Sequence, residues 1–292
     1  MNRFSASDAA LEGFRLTRER PGTVLAWSGL YFVGILVIAL VMMASLDPHF
    51  IDLAKKGQLL SRDPEEIGAM LASSLPAFLL IVVLTVVLFS VVMSGIYRLV
   101  LRPAEHGFAH LRFGRDELRL TAVNLLLFAA GMACLTFGFA VTALADTASP
   151  LAGVLVGIAV FAVTIWLGVR LSLATPMSFA THRVAIAPAW RLSNGHFWPL
   201  LGMIVLAIIF YLIVWVLVTI IGFAIITTAG GEKAVQSVQG PVAFVGFVAI
   251  LAIQLLLPIL QVIMVYSPLA VAYQQLIAAA PAAPPAAQPS SG

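Results

Sequence analysis

Charged side chains are scarce in this chain of 292 residues. Asp, Glu, Lys and Arg make up 10% of it, whereas soluble domains average roughly 25%. The mean hydropathy is correspondingly high at +1.05, and 61% of the residues are hydrophobic. Too few polar side chains are present to cover an apolar core of this size, so the composition excludes a wholly water-soluble protein.

Cysteine is almost absent as well. The single Cys134 lies inside a long apolar stretch. One cysteine forms neither an intrachain disulfide nor a cysteine metal cluster. We therefore expect Cys134 to be a small, polarisable packing residue inside a membrane span.

Recognisable catalytic motifs are also missing. The chain contains no Gly-rich phosphate loop ending in Lys-Ser or Lys-Thr, no His-Glu-x-x-His and no Gly-x-Ser-x-Gly. His106 and His110 stand four residues apart beside Glu105, but without a firm third ligand this pattern favours a solvated helix face over a metal site. We predict a non-enzymatic protein with no metal and no cofactor.

Long apolar stretches fill most of the chain. Each is about 20 residues or more, the length that a helix rising about 1.5 Å per residue needs to cross a hydrocarbon core of about 30 Å. They predict an all-α, polytopic bundle of six transmembrane helices. The predicted spans are residues 22–46, 77–101, 120–144, 151–175, 198–228 and 241–276.

Positive charge falls on one side of the path that these spans define. Four cations lie on the other side: Lys55, Lys56, Arg62 and Lys233. Cytoplasmic loops retain the positive excess, so both termini are expected in the cytoplasm. The cations also lie close to the predicted membrane boundaries and do not form a separate basic domain, which argues against nucleic-acid binding. The twelve cations on the expected cytoplasmic side are Arg3, Arg15, Arg18, Arg20, Arg98, Arg102, Arg112, Arg115, Arg119, Arg170, Arg183 and Arg191.

The segments outside the spans have their own patterns. Residues 1–21 form an amphipathic cytoplasmic segment, and residues 279–292 are Pro- and Ala-rich and expected to be disordered. Asp63 followed by Pro64 predicts the start of a short periplasmic helix. Residues 102–119 predict an interfacial helix stopped near Gly114, and residues 188–195 a second one, closed by Asn-Gly.

Short echoes raise the hypothesis of an internal repeat. Residues 97–101 (YRLVL) are echoed by residues 169–173 (VRLSL), each at the end of a span. Residues 14–17 (FRLT) are echoed by residues 190–193 (WRLS), each before a span. Because both echoes lie on one side of the membrane, a true duplication would relate the two halves in parallel.

These same residues carry a family resemblance. The order of six spans, the Arg-containing ends of the second and fourth, and AWRLSNGHFWPLLG before the fifth resemble the YciC-like inner-membrane proteins and the related membrane domain of some glycerophosphodiester phosphodiesterases. The resemblance runs from Phe14 to Ile277. It implies a multi-pass protein of the bacterial inner membrane, and it transfers no catalytic residues. The soluble phosphodiesterase barrel is absent from this sequence, so phosphodiester cleavage is not expected.

Candidate lipid-headgroup ligands are the arginines at the cytoplasmic span ends. Arg170 follows Leu151 by about 20 residues and is expected to reach the interface and snorkel. A headgroup clamp formed with Arg98 is one hypothesis, set against ordinary interfacial placement. The four headgroup candidates are Arg98, Arg102, Arg170 and Arg191.

Polar groups inside the spans are the second set of candidates. Gln254 and Gln261 share one face of the sixth span, and Tyr211 lies in the fifth. They indicate either a polar cavity for a ligand or ordinary interhelical hydrogen bonds, and the second reading is favoured. Asn124 is expected to be interhelical or interfacial. The Gly-x-x-x-Gly of Gly153 and Gly157 predicts close helix contact.

Two functions remain open. The leading hypothesis is a non-enzymatic inner-membrane protein that engages anionic lipids and scaffolds or assists envelope proteins. The alternative is a transporter or lipid-translocating protein with a cavity between two repeat-like halves. The expected partners are membrane lipids, together with a membrane protein or a second copy of the chain. The scarcity of intramembrane charge argues against ion or proton coupling.

Overall fold

The fold is all-α within the residues that the computed structural model describes, which are 5–58, 63–105, 108–112, 114–238 and 240–279. His106 lies outside these ranges. The predicted disordered tail, residues 279–292, also lies outside them except for Ala279. The helices are α1 (Ala6–Glu19), α2 (Pro21–Ser45), α3 (Pro48–Lys55), α4 (Pro64–Leu101), α5 (Arg115–Ala148), α6 (Pro150–Leu171), α7 (Ala174–Thr181), α8 (Ile186–Leu192), α9 (Phe197–Thr228), α10 (Glu232–Gln236) and α11 (Pro241–Ala279).

The six predicted spans are confirmed. Six helical stretches are long and apolar enough to cross a membrane: α2, α4, α5, α6 with α7, α9 and α11. The fourth predicted span, residues 151–175, is interrupted at Ser172 and Leu173, where α6 ends and α7 begins. Large side chains on the outer faces, such as Phe139 at 79% exposure and Phe223 at 70%, suit hydrocarbon rather than water.

Proline sets where many of these helices begin. A proline at the first helical position loses no backbone hydrogen bond, and its fixed φ already suits the helix. Ser149 separates α5 from α6, and its Oγ accepts a hydrogen bond from Ala152 N at 3.1 Å, which fixes a tight hairpin. The helices that start on proline are α2, α3, α4, α6 and α11, at Pro21, Pro48, Pro64, Pro150 and Pro241.

The predicted short periplasmic helix after Asp63 is not a separate element. It begins at Pro64 as expected but continues without a break as α4 to Leu101. Pro76 lies inside this helix. A single proline in a membrane helix removes one backbone hydrogen bond and is tolerated where the freed group finds another partner.

The predicted interfacial helix over residues 102–119 is wrong for its first part. The described residues before Gly114 form a loop with one short 3-10 turn at Phe108–His110, and α5 begins at Arg115. Ala109 and His110 adopt left-handed φ values of 50° and 55°. Side chains from neighbouring helices bind the loop carbonyls, so those carbonyls need no helical partners: Trp27 Nε1 donates to Ala109 O at 2.9 Å.

The second predicted short helix is present, over Ile186–Leu192 rather than residues 188–195. It is α8, with Trp190 and Arg191 near its end. Gly195 follows with φ of +78°, the left-handed conformation that closes a helix and that glycine adopts without steric cost. The chain then turns directly into α9.

The N-terminal helix α1 packs deep against the bundle. Ala9, Ala10, Gly13 and Leu16 form its buried face. A Cβ added at Gly13 would lie 2.8 Å from Met264 Cα on α11, so only glycine permits this approach. The predicted amphipathic segment is therefore a structural part of the six-span domain.

The core concentrates at the end of the bundle that carries the arginine-rich segments, called here the arginine end. Its centre is the start of α2, the ends of α4 and α11, and the α7 region. The opposite ends of α5 and α6 expose most of their apolar side chains and contact mainly each other. The largest fully buried side chains, all toward the arginine end, are Trp27, Tyr97, Phe179, Ile96, Leu120, Leu173, Leu200, Met203, Ile259, Ile263, Val92 and Val123.

Candidate functional site

The three arginine-rich segments meet one another. The Arg20 guanidinium lies 3.3 Å from His110 Nε2, which joins the N-terminal segment to the connection after α4. Arg102 Nη2 lies 2.8 Å from His182 Nε2, which joins that connection to the one after α7. The cationic segments that the sequence placed on one side therefore form a single surface at the arginine end.

A buried ion pair lies beneath this surface. Arg98 Nη2 is 2.6 Å from Glu117 Oε1, and each side chain is 3% exposed. Ser94 Oγ donates to the same carboxylate oxygen at 3.0 Å, and Gly114 N donates to Glu117 Oε2 at 2.9 Å. Arg98 Nη1 donates to His110 O. Because both charges are desolvated but paired and hydrogen-bonded, this cluster is suited to holding α4, α5 and the loop together.

A second cluster surrounds Asp116 at the surface. Asp116 Oδ1 is 2.9 Å from Arg119 Nη1 and 2.8 Å from His182 Nδ1, and Asp116 Oδ2 is 3.6 Å from Arg102 Nη1. An arginine only donates, so His182 Nε2 accepts from Arg102 while Nδ1 carries the proton that it donates to Asp116. The neutral tautomer thus satisfies both ring nitrogens and crosslinks α5 to the end of α7.

The structure separates the four predicted headgroup ligands. Arg98 is buried against Glu117 and is not accessible to a headgroup, so its prediction needs correction. Arg102 is 22% exposed and is engaged with Glu105 and Asp116. Arg98 and Arg170 do not form the predicted headgroup clamp, because they contact different residues. Arg98 pairs with Glu117, whereas Arg170 contacts Trp166, Trp190 and Asn194. Arg170 instead packs against the end of the helix that carries Arg191.

The Arg170 side chain packs against the end of α8, which carries Arg191, and we call this region the Arg170–Arg191 corner. The Arg170 guanidinium carbon lies 5.5 Å from the Trp166 ring centroid and 5.4 Å from that of Trp190, which holds the charge by cation–π attraction. Arg170 Nη1 donates to Asn194 Oδ1, and Asn194 N donates to Arg191 O at 3.1 Å. Arg191 itself is exposed.

An apolar cavity of about 950 Å³ lies on the other face of α6, away from Trp166 and Arg170. It lies between the α5–α6 hairpin on one side and α4, α9 and α11 on the other. Its polar lining residues include Asn124, Thr164, Thr175 and Tyr266. The apolar lining side chains include Val86, Phe89, Met93, Leu127, Phe128, Ile165, Leu167, Val169, Leu171, Leu201, Ile204, Val205, Ile208, Val265 and Leu269.

The predicted cavity residues are not part of this cavity. Gln254 and Gln261 lie on an exposed face of α11, opposite to the buried Ile259 and Ile263. Tyr211 on α9 is half-buried and lies beyond the lining residue Ile208. The continuous apolarity of α9 and α11 hides which face is buried, and this is why the sequence pointed to the wrong positions. The transporter alternative thereby loses the residues on which it was based.

The structure also shows the surroundings of Asn124, Gly153 and Cys134. Asn124 is interhelical as predicted, since its Nδ2 donates to Ser90 Oγ on α4 at 2.8 Å. Gly153 faces Asp146 on α5, where an added Cβ would come within 2.7 Å of its side chain, so the predicted close contact is confirmed. Cys134 is half-buried, with its sulfur 3.8 Å from Thr164 Oγ1. Among the described residues, no group of three or more His, Cys, Asp or Glu is arranged to hold a metal.

Glu117 is the important residue that sequence reasoning missed. It sits three residues after Gly114 at the start of α5, where a Glu side chain folds back to the backbone N–H that precedes the helix. That spacing was a usable signal for the local bond. The pairing with Arg98 had no local signal, because it depends on how α4 packs against α5.

No protein-family model, no curated protein and no solved structure matches this chain. Its class therefore rests on its own fold and site. Six helices of spanning length, apolar outer faces and cations gathered at one end define an integral multi-pass membrane protein.

Proposed function

We propose that this protein is a non-enzymatic component of the bacterial inner membrane that binds anionic lipids at its cytoplasmic face, with both termini in the cytoplasm. The observation that carries the proposal is the set of exposed arginines at the arginine end. The exposed members are Arg15, Arg18, Arg20, Arg112, Arg115, Arg183 and Arg191.

These exposed arginines differ from the buried one in what they offer a lipid. Arg98 already has a desolvated carboxylate partner, whereas Arg183 and Arg191 stand on the surface just outside α7 and within α8. A cation near an anionic leaflet gains about 1 kcal/mol from the surface potential. Several such cations on one face favour phosphatidylglycerol-like over zwitterionic headgroups.

The Arg170–Arg191 corner is the best-formed headgroup subsite within this surface. Arg170 is oriented in advance by two indole rings and by Asn194, so binding a phosphate there costs little side-chain entropy. Trp190 near the end of α8 and Trp198 at the start of α9 suit the interfacial region, where aromatic rings are enriched. Trp198 is 76% exposed.

A non-enzymatic role is supported by how the buried polar groups are used. The carboxylate of Glu117 and the hydroxyl groups of Ser94 and Tyr97 bind neighbouring protein groups, with Tyr97 Oη 2.7 Å from Thr175 Oγ1. This arrangement is typical of structural networks that rigidify a fold. Scaffolding of envelope proteins remains part of the proposal, and its support is the broad, outward-facing basic surface.

Lipid co-purification tests the proposal. The protein would be extracted with its surrounding membrane in polymer nanodiscs, and the lipids and proteins quantified by mass spectrometry. We expect enrichment of anionic lipid over the bulk membrane, and a loss of that enrichment in the triple variant Arg170→Gln, Arg183→Gln, Arg191→Gln. One such contact at about 1 kcal/mol corresponds to a change of about five-fold.

The matched control is the double variant Lys55→Gln, Lys56→Gln, which removes cations at the opposite end of the bundle. Both lysines are exposed, and the enrichment should survive their loss. Unchanged enrichment in the triple arginine variant would overturn the proposal. A protein recovered in stoichiometric amount, and lost with the arginines, would support the scaffold role.

A further inference from the structure

We propose that the apolar cavity between the α5–α6 hairpin and α4, α9 and α11 binds one hydrocarbon chain of a membrane phospholipid whose headgroup lies at the arginine end. This inference deepens the proposed function and rests on it for the headgroup alone. The occupant is a lipid of the leaflet next to the arginine end.

The size and lining of the cavity fit a hydrocarbon chain. Its volume of about 950 Å³ lies within the range of ligand sites, roughly 300 to 1,000 Å³. Aliphatic and aromatic side chains from five membrane helices form most of its wall. Such a wall gains free energy by covering apolar surface and offers little to a hydrated solute.

The polar groups in the wall are already satisfied by the protein. Asn124 donates to Ser90, Thr164 donates to the Val160 carbonyl at 2.9 Å, and Thr175 pairs with Tyr97 at 2.7 Å. A sugar, an amino acid or an ion would therefore find few unpaired partners and would lose its hydration without compensation. This excludes the usual polar cargoes and favours an apolar one.

Tyr266 is the exception in this wall. It lines the cavity, and its hydroxyl group forms no hydrogen bond within the part of the chain that the structure describes. A phospholipid carries ester carbonyls between its headgroup and its chains, and a tyrosine hydroxyl is a suitable donor to such a carbonyl. One polar donor in an otherwise apolar site is typical of how such sites orient a ligand.

The cavity is continuous with the membrane-facing surface. Its lining side chains Phe128, Ile165, Val205 and Ile208 are 37 to 45% exposed, so the site is open to the hydrocarbon rather than sealed. Leu201 and Ile208 stand about 6 to 17 Å along the axis from the first residue of α9. The opening thus faces the acyl chains of a single leaflet.

The cavity and the Arg170 stack lie on different faces of α6. Within residues 164–172, Trp166 and Arg170 are absent from the lining, and they stand one helical turn apart on the face that packs against Trp190. A chain in the cavity therefore runs along the other face of α6, from Ser172 toward Thr164, and its headgroup lies beyond Ser172 at the arginine end.

Two glycines show that the space is not filled by the protein. Gly131 on α5 and Gly168 on α6 both line the cavity. A Cβ built on either of them meets no atom within 4 Å. A side chain added at either position would therefore leave the backbone without a clash at Cβ and take up space at the cavity wall.

The test uses the full chain in vesicles of phosphatidylcholine and phosphatidylglycerol. In parallel arms, one or the other lipid carries a photoactivatable diazirine in the middle of an acyl chain. After irradiation, the labelled peptides are mapped by mass spectrometry. We expect labelling to concentrate on the α5 and α6 lining residues, with more labelling by the phosphatidylglycerol probe.

The decisive variants are Gly131→Leu and Gly168→Leu, each examined alone. Gly29→Leu is the matched control, because Gly29 is an exposed helical glycine of α2 whose added Cβ also meets nothing within 4 Å. Cavity labelling should be lost in the first two variants and retained in the control. Tyr266→Phe, which keeps the ring, should reduce cavity labelling while leaving thermal stability unchanged.

The outcomes separate the two proposals. Labelling spread evenly over all lipid-facing helices and unaffected by either leucine overturns the cavity inference, even where phosphatidylglycerol is enriched. Equal cavity labelling by both probes, blocked by the leucines, supports the cavity inference and overturns the preference for anionic headgroups. A thermal melt of each purified variant confirms that lost labelling reflects a filled cavity, and Tyr266→Phe stands as the test where a leucine variant fails to fold.

Discussion

Arg98 and Glu117 form a buried ion pair, in which each side chain is 3% exposed to solvent. Moving charges out of water costs several kcal/mol per ion, and only good geometry and further hydrogen bonds offset that cost. Here Ser94, Gly114 and the His110 carbonyl supply those bonds. The pair is therefore costly to break from one side alone and less costly to replace as a whole.

Replacing one residue of the pair should therefore destabilise the protein more than replacing both. Glu117→Gln removes the buried counter-charge of Arg98 and leaves it only the part-exposed Glu105 carboxylate, 3.4 Å from its Nε, and it should lower the free energy of unfolding by about 3 kcal/mol. Reversible unfolding in mixed micelles measures the loss. Glu19→Gln is the control, because its ion pair with Arg15 is solvent-exposed and contributes about 1 kcal/mol or less.

The double variant Arg98→Met, Glu117→Leu should recover most of the loss, because no uncompensated charge then remains buried. A double variant as unstable as Glu117→Gln would show that the packing of these side chains, and not their charge, stabilises the arginine end.

The surroundings of a residue could be predicted from the sequence where they depend on the chemistry of that residue alone. Asn124 was expected to bond between helices because an amide in hydrocarbon needs a partner, and it does. Gln254 and Gln261 were subject to the same requirement, yet they lie on an exposed face. When a helix is apolar on all sides, its sequence does not indicate which face packs against the bundle and which face is exposed.

The helix α1 shows how one small residue positions a whole element. Its Gly13 lies so close to Met264 that any Cβ would meet the α11 backbone at 2.8 Å. Thr17 Oγ1 donates back to Gly13 O at 2.8 Å, so its hydroxyl group is satisfied within α1. The sequence predicted an amphipathic segment here, but the partner of its apolar stripe follows only from the close approach of α11.

Gly13→Val should displace α1 from α11. We expect faster backbone hydrogen exchange across Ala6–Glu19, because the buried Ala9, Ala10 and Leu16 lose contact together. Mass-spectrometric exchange of the protein in nanodiscs measures this. Gly22→Val is the control, since a Cβ at Gly22 meets nothing within 4 Å, and equal exchange in both variants would contradict this account of Gly13.

Helix boundaries were predicted well where a local residue marks the start and poorly where the boundary depends on tertiary contacts. α9 and α11 begin within a residue of the expected positions, since proline or an aromatic anchor marks the start. The loop before α5 was predicted as helix because its apolar and charged residues alternate suitably. Its backbone instead follows Trp27 and Arg98, whose bonds to the Ala109 and His110 carbonyls lie beyond local sequence.

The complete bundle is asymmetric in charge and in packing. Its arginine end combines the large buried side chains, the ion-pair clusters and the exposed cations, whereas the opposite end holds the short helices α3 and α10. Six spans were predictable because each apolar run had the length of the bilayer core. The cavity was not, because it arises from the spacing of the α5–α6 hairpin against α4, α9 and α11.

The positive excess predicts that the arginine end faces the cytoplasm. In a Cys134→Ser background, Ser237→Cys at the opposite end should react with a membrane-impermeant maleimide in intact spheroplasts. Thr181→Cys at the arginine end should react only after lysis. Both positions are exposed, so accessibility within the protein is matched, and the reverse pattern would refute the assigned orientation.

The packing of α1 against α11 also sets an order of events during synthesis. Ser5 N donates to Gln275 Oε1, a contact between residues 270 positions apart. At roughly 5 to 20 residues per second, a ribosome needs about 15 to 55 seconds to cover that distance. The part of the α1 apolar stripe that faces α11 therefore stays uncovered until the sixth span has been synthesised, whereas the part that faces α9, including Phe14 beside Phe210, can be covered earlier.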